Sequence, residues 1–537
     1  MKTKVRDLVA SILKDEGVGH IFGHTGDSIL AMWQSIRHTG ITPIFNKTEF
    51  GAALMADGYS RTADTMGVIF TTGGPGATNL ATPLGTAYLD SIPLLAISGS
   101  AVSSHIGKNA FQEGSGRGRS IEQRLCLKAV CKRAMLAPSP EAVEAMLLDG
   151  IRAACSGRPG PVYLEIPSDF WDLEVDSEYQ PNKLYKNTTL PEVSQKDSSQ
   201  IINQLYVSSY PLLMIGEGVL DKNISNAIMN SIDRLGIPFC VSPLAKNLVN
   251  EFHDLRLGSG YESAAVHNYL EKCDYVLLLG VRLQPDFFDN HDLASITLAQ
   301  VDSDPFEIGR SFPVNLSAVG STSSFLRLIP RISHKRSIEL LAYLTRLNNS
   351  IIEPKISDLP GVAPLEISQT VMELAPETTI IVCDTGYTKE RIVHDYKTHL
   401  GQKILVSDRN GCMGYSIPAA IGAAIASDNL VVCFCGDGGF QMGLNELGVV
   451  MNYGLKIIFI IEDNGGCGSI SDYNFATYDN RYVSNFKNPN FEMLAKSYGF
   501  NSSSARKVSE FKSQFAQALA HKGTSLIHAH LLSNYLK

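Results

Sequence analysis

A glycine-rich turn that contains one carboxylate, Gly436-Asp437-Gly438-Gly439, carries the clearest chemical signal in the chain. It follows an apolar run, Leu430–Cys435, that predicts a buried strand, and it precedes a helical pattern over Phe440–Met451. Free backbone N–H groups in such a turn suit a phosphate group. Because Asp437 would repel a phosphate, we expect a divalent cation between the two, and Mg²⁺ prefers oxygen ligands of this kind.

A second apolar run, Ile457–Ile461, ends in Glu462-Asp463-Asn464-Gly465-Gly466. Ligands collect at the carboxyl ends of the strands in an open parallel sheet, so Asn464 can reach the same point as Asp437. The two strand ends would then share one metal. The alternative is that both segments are ordinary tight turns, since Gly, Asp and Asn are common turn residues.

The composition limits the protein class that must position these residues. The 537 residues include 46 Lys and Arg against 54 Asp and Glu, a net charge of −8, without a basic cluster, so we expect no nucleic acid partner. No run of about 18 apolar residues predicts a membrane span. The first residues are amphipathic and do not resemble a signal peptide. Ten scattered cysteines favour a reducing cytoplasm.

Short apolar runs alternate with helical patterns for most of the length, which is typical of βαβ units around parallel sheets. We predict an α/β fold with three doubly wound parallel-sheet domains, over residues 1–171, 190–335 and 363–537. Polar stretches near residues 172–199 and 348–364 lack periodicity and are interpreted as linkers. The ten predicted strands are His20–Phe22, Val68–Thr72, Leu94–Ile97, Val162–Ile166, Pro211–Gly216, Tyr275–Gly280, Ala299–Asp302, Ile380–Cys383, Leu430–Cys435 and Ile457–Ile461.

Gly-Asp-Gly followed, after about two dozen residues and a buried strand, by Asn resembles the signature of thiamine diphosphate enzymes. In this chain Gly439 to Asp463 fills the gap, and Asn464 stands where the signature requires it. The resemblance implies that Asp437, Asn464 and the carbonyl of Gly466 hold Mg²⁺. It also implies that the turn residues Gly436, Gly438 and Gly439 bind the diphosphate. The family often has a second Asn where this chain has Asp463.

The first third resembles acetolactate synthase-like members of that family. These enzymes need a carboxylic acid beside the aminopyrimidine ring of the cofactor to exchange a proton with it. The resemblance implies Glu49 in this role, at the start of a small-residue helix, although a Glu there commonly complements a helix dipole. Thr72-Gly73-Gly74-Pro75-Gly76-Ala77-Thr78-Asn79 resembles the cofactor-facing turn, with Pro75 and Asn79 near the pyrimidine.

In the last third, Asp384-Thr385-Gly386 and Gly411-Cys412-Met413 resemble segments that hold the diphosphate and the pyrimidine. Thr385, Gly386 and Gly411 are thus implied as cofactor-binding residues. Met413 resembles the bulky side chain that bends the cofactor, and the alternative is an ordinary core methionine.

The middle domain resembles the family more weakly. Acetolactate synthases hold FAD there; Arg282 and Asp302 fit that role, whereas Gly258-Ser259-Gly260-Tyr261 departs from the family pattern. FAD is therefore left open. Because Glu49 and Asp437 fall in different domains, and because the family builds each site from two subunits, the resemblance implies a homodimer at least, with a tetramer as a further possibility.

The loop at Phe111-Gln112 concerns the reaction class. Acetolactate synthases carry Phe-Gln in this loop, whereas decarboxylases of the pyruvate type carry a His-His pair that this chain lacks. The resemblance therefore implies that Gln112 is a catalytic residue of carbon–carbon ligation. His105 lies nearby in sequence, but a lone loop histidine is more often a surface residue than an acid.

Several departures from the family leave alternatives open. Asp27, in His24-Thr25-Gly26-Asp27-Ser28, resembles an aspartate of the decarboxylase branch that handles protons, or it caps the helix that follows. Thr48 stands where a His usually precedes the activating Glu. Ser469–Tyr473 lacks the Trp that selects 2-oxobutanoate, and the Gly114–Arg119 arginines either bind an anionic substrate or are solvated.

The expected activity is decarboxylation of pyruvate or a similar 2-oxo acid, with transfer of the acyl unit to an acceptor carbonyl. Two alternatives are a decarboxylase that does not ligate and a non-catalytic homologue that only binds the cofactor. Glu49, Asp437 and Asn464 are all intact, which argues against the non-catalytic alternative.

Overall fold

Three parallel sheets with connecting helices organise the chain, as the computed structural model shows. This confirms the predicted α/β class with three parallel-sheet domains. The structure describes residues 2–180, 189–221, 223–258, 260–261, 263–331, 336, 338–349, 361–482 and 485–532. Residues 1, 335 and 537, at which predicted domains begin or end, lie outside that set, so the domain boundaries stay a prediction. Among the residues described, no helix combines the length and apolar character needed to cross a membrane.

The first domain contains a six-stranded sheet in the order β3-β2-β4-β5-β7-β6, with strands β1 and β8 paired antiparallel beside it. Its strands are β1 Lys2–Lys4, β2 His20–Gly23, β3 Thr42–Phe45, β4 Gly67–Thr71, β5 Leu94–Ser100, β6 Arg133–Leu136, β7 Val162–Pro167 and β8 Glu174–Asp176. Its helices are α1 Val5–Asp15, α2 Leu30–Ile36, α3 Glu49–Ala63, α4 Pro75–Thr78, α5 Ala81–Leu89, α6 Gln123–Lys128 and α7 Ala142–Cys155.

The central domain contains a five-stranded sheet in the order β10-β9-β11-β12-β13. Its strands are β9 Pro211–Ile215, β10 Phe239–Val241, β11 Tyr275–Leu279, β12 Thr297–Asp302 and β13 Leu316–Val319. Its helices are α8 Gln195–Val207, α9 Ser225–Leu235, α10 Ala264–Leu270, α11 Thr322–Leu328 and α12 Ile338–Asn349.

The last domain contains a six-stranded sheet in the order β15-β14-β16-β17-β19-β18. Its strands are β14 Ile380–Cys383, β15 Ile404–Leu405, β16 Val431–Gly436, β17 Ile457–Asp463, β18 Asn501–Ala505 and β19 Ser525–His530. Its helices are α13 Pro364–Leu374, α14 Tyr387–Asp395, α15 Ser416–Ala426, α16 Asp437–Met442, α17 Leu447–Tyr453, α18 Gly468–Tyr478, α19 Phe491–Ser497 and α20 Val508–Ala520.

All ten predicted strands are present, because a strand buried on both faces of a parallel sheet is a continuous apolar run. The strands that the sequence did not indicate include the edge strand β15, which has only two residues. The first predicted linker was partly wrong, since it contains β8 and the start of α8. Residues 181–188 of that linker, and residues 350–360 of the second, lie outside the described part of the chain.

Helix α3 packs against helix α15 and thereby joins the first domain to the last. Glycines on both helices let the two backbones approach closely. A Cβ atom on Gly58 would lie 2.2 Å from the carbonyl oxygen of Ala419, and one on Gly422 would lie 2.0 Å from that of Met55. One hydrophobic core accordingly includes side chains of both domains. The position of Glu49, the first residue of α3, is therefore set partly by the last domain.

Candidate active site

Strands β14, β16 and β17 are neighbours, and their carboxyl ends open into a cavity of about 390 Å³. Ligands bind at this edge of an open parallel sheet. Every cofactor or metal residue predicted in the last domain lines this one cavity. They are Thr385, Gly386, Gly411, Met413, Gly436, Asp437, Gly438, Gly439, Asn464 and Gly466.

Asp437 is a buried carboxylate of this cavity, with 1% of its surface exposed. Its Oδ2 accepts a hydrogen bond from Asn488 Nδ2 at 2.7 Å. Burial raises the pKa of Asp437 to about 6, and the nearby Asp463 carboxylate adds to that rise. A divalent cation at the carboxylate would offset both effects, because a buried charge needs a partner. The surroundings of Asp437 therefore fit a cation.

Asn464 and Gly466 supply the neutral oxygen atoms expected beside that carboxylate. Asn464 Oδ1 accepts from the backbone N–H of Gly466 at 3.2 Å, which closes a tight turn. Gly465 has a φ of +73°, a conformation that favours glycine. A carboxylate, an amide oxygen and a backbone carbonyl at one cavity form a donor set that suits Mg²⁺. The turn interpretation and the ligand interpretation are thus compatible.

Asp384 fixes the geometry of the cavity wall. Its carboxylate accepts from the backbone N–H groups of Gly414 at 3.0 Å and Ser416 at 3.1 Å. Burial raises its pKa, although these hydrogen bonds act in the opposite direction. A Cβ atom on Gly439 would lie 2.7 Å from the Asp384 carboxyl carbon, so only glycine fits there. Met413, beside Gly414, is half-buried and lines the cavity, so the core-methionine alternative was wrong.

Part of this cavity wall was not predicted from the sequence. Lys389 and Arg391 lie in helix α14, which begins directly after Gly386. Because Gly386 belongs to a turn predicted to bind the diphosphate, the sequence could have indicated these two cationic residues as part of the same site. Burial raises the pKa of Glu462 to about 7, while Arg391 acts in the opposite direction. The lining residues not predicted are Tyr387, Thr388, Lys389, Glu390, Arg391, Glu462, Cys467, Gly468, Ser469, Ile470 and Leu531.

The helix predicted over Phe440–Met451 is interrupted. Helix α16 ends at Met442, a 3₁₀ turn covers Leu444–Glu446, and α17 begins at Leu447. The interruption directs the buried Glu446 carboxylate to the first domain, where Oε1 accepts from the backbone N–H of Thr48 at 3.0 Å. The interruption of the helix thus coincides with a contact between two domains, and a local sequence pattern does not reveal such a contact.

The first domain gathers a second group of predicted residues at the ends of β2, β3 and β4. Glu49 is half-buried, and its Oε2 accepts from Asn79 Nδ2 at 2.9 Å. Asn79 follows helix α4, whose first residue is Pro75. A Cβ atom on Gly76 would lie 3.4 Å from Glu49 Oε1, so the turn packs closely on the carboxylate. The carboxylate is positioned by an amide of the predicted cofactor-facing turn.

Gln112 joins this group through a hydrogen bond. The Thr72 hydroxyl donates to Gln112 Oε1 at 3.3 Å and lies 2.9 Å from the Ser28 hydroxyl. Asp27, next to Ser28, is exposed. The N-cap of its 3₁₀ turn is Gly26, without a side-chain cap, so the capping alternative for Asp27 was wrong. The Asp27 carboxylate therefore does not act as a helix cap.

The two groups do not share the cavity of the last domain within one chain. Asp27, Glu49, Pro75, Asn79 and Gln112 are not among the residues that line the cavity of the last domain. The first-domain group is also open to solvent, since Asp27, Pro75 and Asn79 are exposed. One chain therefore presents two partial surfaces of predicted cofactor residues.

In the central domain, the described residues form a loop contact and a buried ion pair where a dinucleotide is expected. A dinucleotide would occupy the crevice between β9 and β11, where the strand order reverses. There the Gly218 N–H donates to the Gly280 carbonyl at 2.7 Å, so the two loops touch. Above them Glu217 Oε1 pairs with Arg282 at 2.9 Å and Arg409 at 3.0 Å, with 3% of the Glu217 side chain exposed.

Family models match all three domains of the chain. Residues 3–117 match the N-terminal TPP binding domain of thiamine pyrophosphate enzymes, 198–329 match the central domain, and 384–529 match the C-terminal TPP binding domain. The chain therefore belongs to the thiamine pyrophosphate enzyme family.

Within that family, curated relatives include proteins named as acetolactate synthases. The chain is 30% identical over 550 residues to an acetolactate synthase of Arthrospira platensis, covering 96% of this chain and 92% of the relative. It is 29% identical over 544 residues to a probable acetolactate synthase large subunit of Methanococcus aeolicus, covering 94% and 88%. It is 30% identical over 559 residues to an acetolactate synthase large subunit of Pyropia yezoensis, covering 99% and 92%.

Proposed function

We propose that this member of the family decarboxylates a pyruvate-like 2-oxo acid and transfers the acyl unit to an acceptor carbonyl. One observation carries the proposal: Asp437, Asn464 and the Gly436–Gly439 turn line a single cavity at adjacent strand ends. The names of the relatives support the ligating activity. Gln112, hydrogen-bonded to Thr72 beside the Glu49 group, supports it further.

Asp437, Asn464 and the carbonyl of Gly466 would hold Mg²⁺, and the backbone of the turn would hold the diphosphate. When bound, thiamine diphosphate supplies a nucleophilic carbon and accepts the electrons that CO₂ leaves behind. Glu49 would hold the proton exchanged with the pyrimidine ring, and Asn79 would keep the carboxylate aimed at it. Thr385, Gly386, Gly411 and Met413 would complete the cavity wall around the cofactor.

A second copy of the chain would complete the site. Within one chain the Glu49 group does not line the cavity of the last domain, and one cofactor would have to touch both. A homodimer, with a homotetramer as a further assembly, would place the first domain of one subunit against the last domain of its partner. Exposed aromatic side chains near both groups, such as Phe111 and Tyr473, support such a covered face.

We propose that the central domain does not hold FAD, since Glu217 places a buried carboxylate where a diphosphate would have to lie. The purified protein should show no flavin absorbance near 450 nm and no quenching of added FAD fluorescence. Saturable FAD binding would contradict this proposal.

We also propose a reducing cytoplasm as the working compartment, because buried thiols such as Cys383 and Cys433 act as small apolar side chains.

Product analysis tests the proposed reaction. The protein is incubated with thiamine diphosphate, Mg²⁺ and pyruvate, and the products are followed by NMR. Acetolactate is the expected product, while acetaldehyde alone would favour the non-ligating decarboxylase. If pyruvate releases no CO₂, the same assay is repeated with other 2-oxo acids. Bound cofactor without turnover on any of them would favour the non-catalytic homologue.

The Glu49→Gln variant is the matched control for that experiment. The substitution keeps the size and the hydrogen bond from Asn79 but removes the exchangeable carboxyl proton. We expect loss of turnover with cofactor binding retained. Full activity of Glu49→Gln would remove Glu49 from the proposed role.

A further inference from the structure

A buried histidine lies behind the loop that carries Asn464. Glu462 and Asn464 line the cavity, whereas Asp463 between them does not; the Asp463 carboxylate lies close to that of Asp437 and to the neighbouring strand. On that strand, β19, His528 Nε2 lies 2.8 Å from Asp463 Oδ2. The histidine side chain is 8% exposed. Asp463 is also the position at which the chain has Asp where the family often has Asn.

The Asp463 carboxylate contacts three protein groups. Its Oδ1 accepts from Asn488 Nδ2 at 2.8 Å and from the Gly465 N–H at 2.9 Å, and its Oδ2 faces His528. Asn488 Nδ2 also donates to Asp437 Oδ2 at 2.7 Å. One amide group therefore connects the carboxylate at the cavity with that of Asp463.

We propose, on the basis of the proposed function, that His528 is a positioning residue of the cation site. With Asn488 it fixes the Asp463 carboxylate at the start of the turn that carries Asn464. The Asp463 bond to the Gly465 N–H then shapes the turn that presents Asn464 and the Gly466 carbonyl. Asp463 needs this arrangement because, unlike Asn, it carries a charge that must be paired when buried.

The contacts of His528 argue against a metal ion bound at the histidine itself. Asp463, His528 and His530 offer ligand atoms within 4.8 Å of one another. However, both ring nitrogens of His528 face carboxylates, since Nδ1 lies 3.0 Å from Glu492 Oε1. A ring that donates from both nitrogens has no lone pair for a metal. The cluster is an ion-paired support for the neighbouring loop.

Mn²⁺ binding tests the proposal independently of turnover. Free Mn²⁺ is measured by electron paramagnetic resonance at saturating thiamine diphosphate, with wild type, His528→Gln, Asp463→Asn and the double variant. We expect His528→Gln to weaken Mn²⁺ binding by about 10- to 100-fold, as for other groups that orient metal ligands. An amide at position 463 needs no cationic partner, so His528→Gln should have little further effect once Asp463→Asn is present. The Mn²⁺ affinity of the double variant should therefore lie within about threefold of that of Asp463→Asn alone.

His530→Gln is the matched control, because His530 Nδ1 is 3.9 Å from the same Asp463 oxygen, beyond hydrogen-bond distance. It should change Mn²⁺ affinity by less than about threefold. Unchanged affinity in His528→Gln would overturn the inference, as would a defect that persists in the double variant. A second Mn²⁺ per chain that His528→Gln removes would overturn it too.

The experiment also distinguishes a wrong role for His528 from two other causes of lost binding: a variant that does not fold, and a failure of the proposed function. If His528→Gln fails to fold, the double variant decides: binding equal to Asp463→Asn supports the inference, and lost binding overturns it. If wild-type protein binds no Mn²⁺ with thiamine diphosphate, the proposed function itself fails. Wild-type binding together with an unaffected His528→Gln variant leaves the proposed function standing and rejects the role of His528.

Discussion

Thr48 Oγ1 lies 2.8 Å from Glu446 Oε1, so helix α3 begins on a carboxylate of the last domain. The same hydroxyl accepts from the Gly51 N–H at 3.0 Å and caps the helix. Burial raises the pKa of Glu446, while the N–H groups of Lys47 and Thr48 act in the opposite direction. Since Glu49 is the next residue, this contact decides where the proposed catalytic carboxylate stands.

Removal of the Thr48 hydroxyl should destabilise the first turn of helix α3. We expect Thr48→Val to lower the free energy of unfolding by about 1–2 kcal/mol, because it removes the cap and the bond to Glu446. Thr48→Ser keeps the hydroxyl and should stay within about 0.5 kcal/mol of wild type. Urea unfolding followed by circular dichroism measures both. Equal stabilities of the two variants would show that the hydroxyl contributes little.

Loss of the Asp437 carboxylate should weaken cation-dependent cofactor binding. We expect Asp437→Asn to weaken thiamine diphosphate binding at fixed Mg²⁺ by about 100-fold, which corresponds to about 3 kcal/mol for a buried charge contact. Asp428→Asn, at an exposed position of the same domain, is the matched control and should bind normally. Calorimetric titration measures the affinities. Normal binding by Asp437→Asn would reject Asp437 as a ligand.

Mixing two inactive variants tests whether the site spans two subunits. A chain with Glu49→Gln keeps an intact last domain, and a chain with Asp437→Asn keeps an intact first domain. If each site joins both domains across a homodimer, a mixed dimer contains one complete site, and random exchange restores about a quarter of the wild-type activity. If each site were formed within one chain, the mixture would stay inactive after unfolding and refolding together. The unmixed variants serve as controls.

The central domain should destabilise as the pH rises through the acidic range. Burial raises the pKa of Asp302 from its usual 3.8 to about 7, and its Oδ2 lacks a hydrogen-bond partner among the described residues. The folded chain therefore holds a proton that the unfolded chain releases, so stability falls between pH 4 and 7.

Asp302→Asn should flatten that fall, because an amide does not titrate. We expect a gain of up to roughly 4 kcal/mol over wild type at pH 8 and a small difference at pH 4. Thermal unfolding across this pH range checks the prediction, with Asp428→Asn as the exposed control. Parallel pH curves for wild type and Asp302→Asn would mean that Asp302 keeps an ordinary pKa.

The amino-acid sequence by itself determined the α/β class and the cofactor signature of the last domain. Apolar runs predict buried strands, and chain order alone decides which side chains follow them, so Asp437 and Asn464 could be predicted to meet at one edge. Glu49 and Gln112 depended on resemblance, since no local pattern separates a catalytic Glu from one that complements a helix dipole. The interrupted helix at Gly443 was missed for the same local reason.

Only the tertiary structure decided which distant side chains support those residues. Asn488 meets Asp437, His528 meets Asp463, and Glu446 meets Thr48, although dozens to hundreds of residues separate each pair in sequence. Such contacts depend on how helices and neighbouring strands pack, which periodicity does not specify. The sequence therefore supplies the groups that do the chemistry, and the packing of three domains supplies the groups that hold them in place.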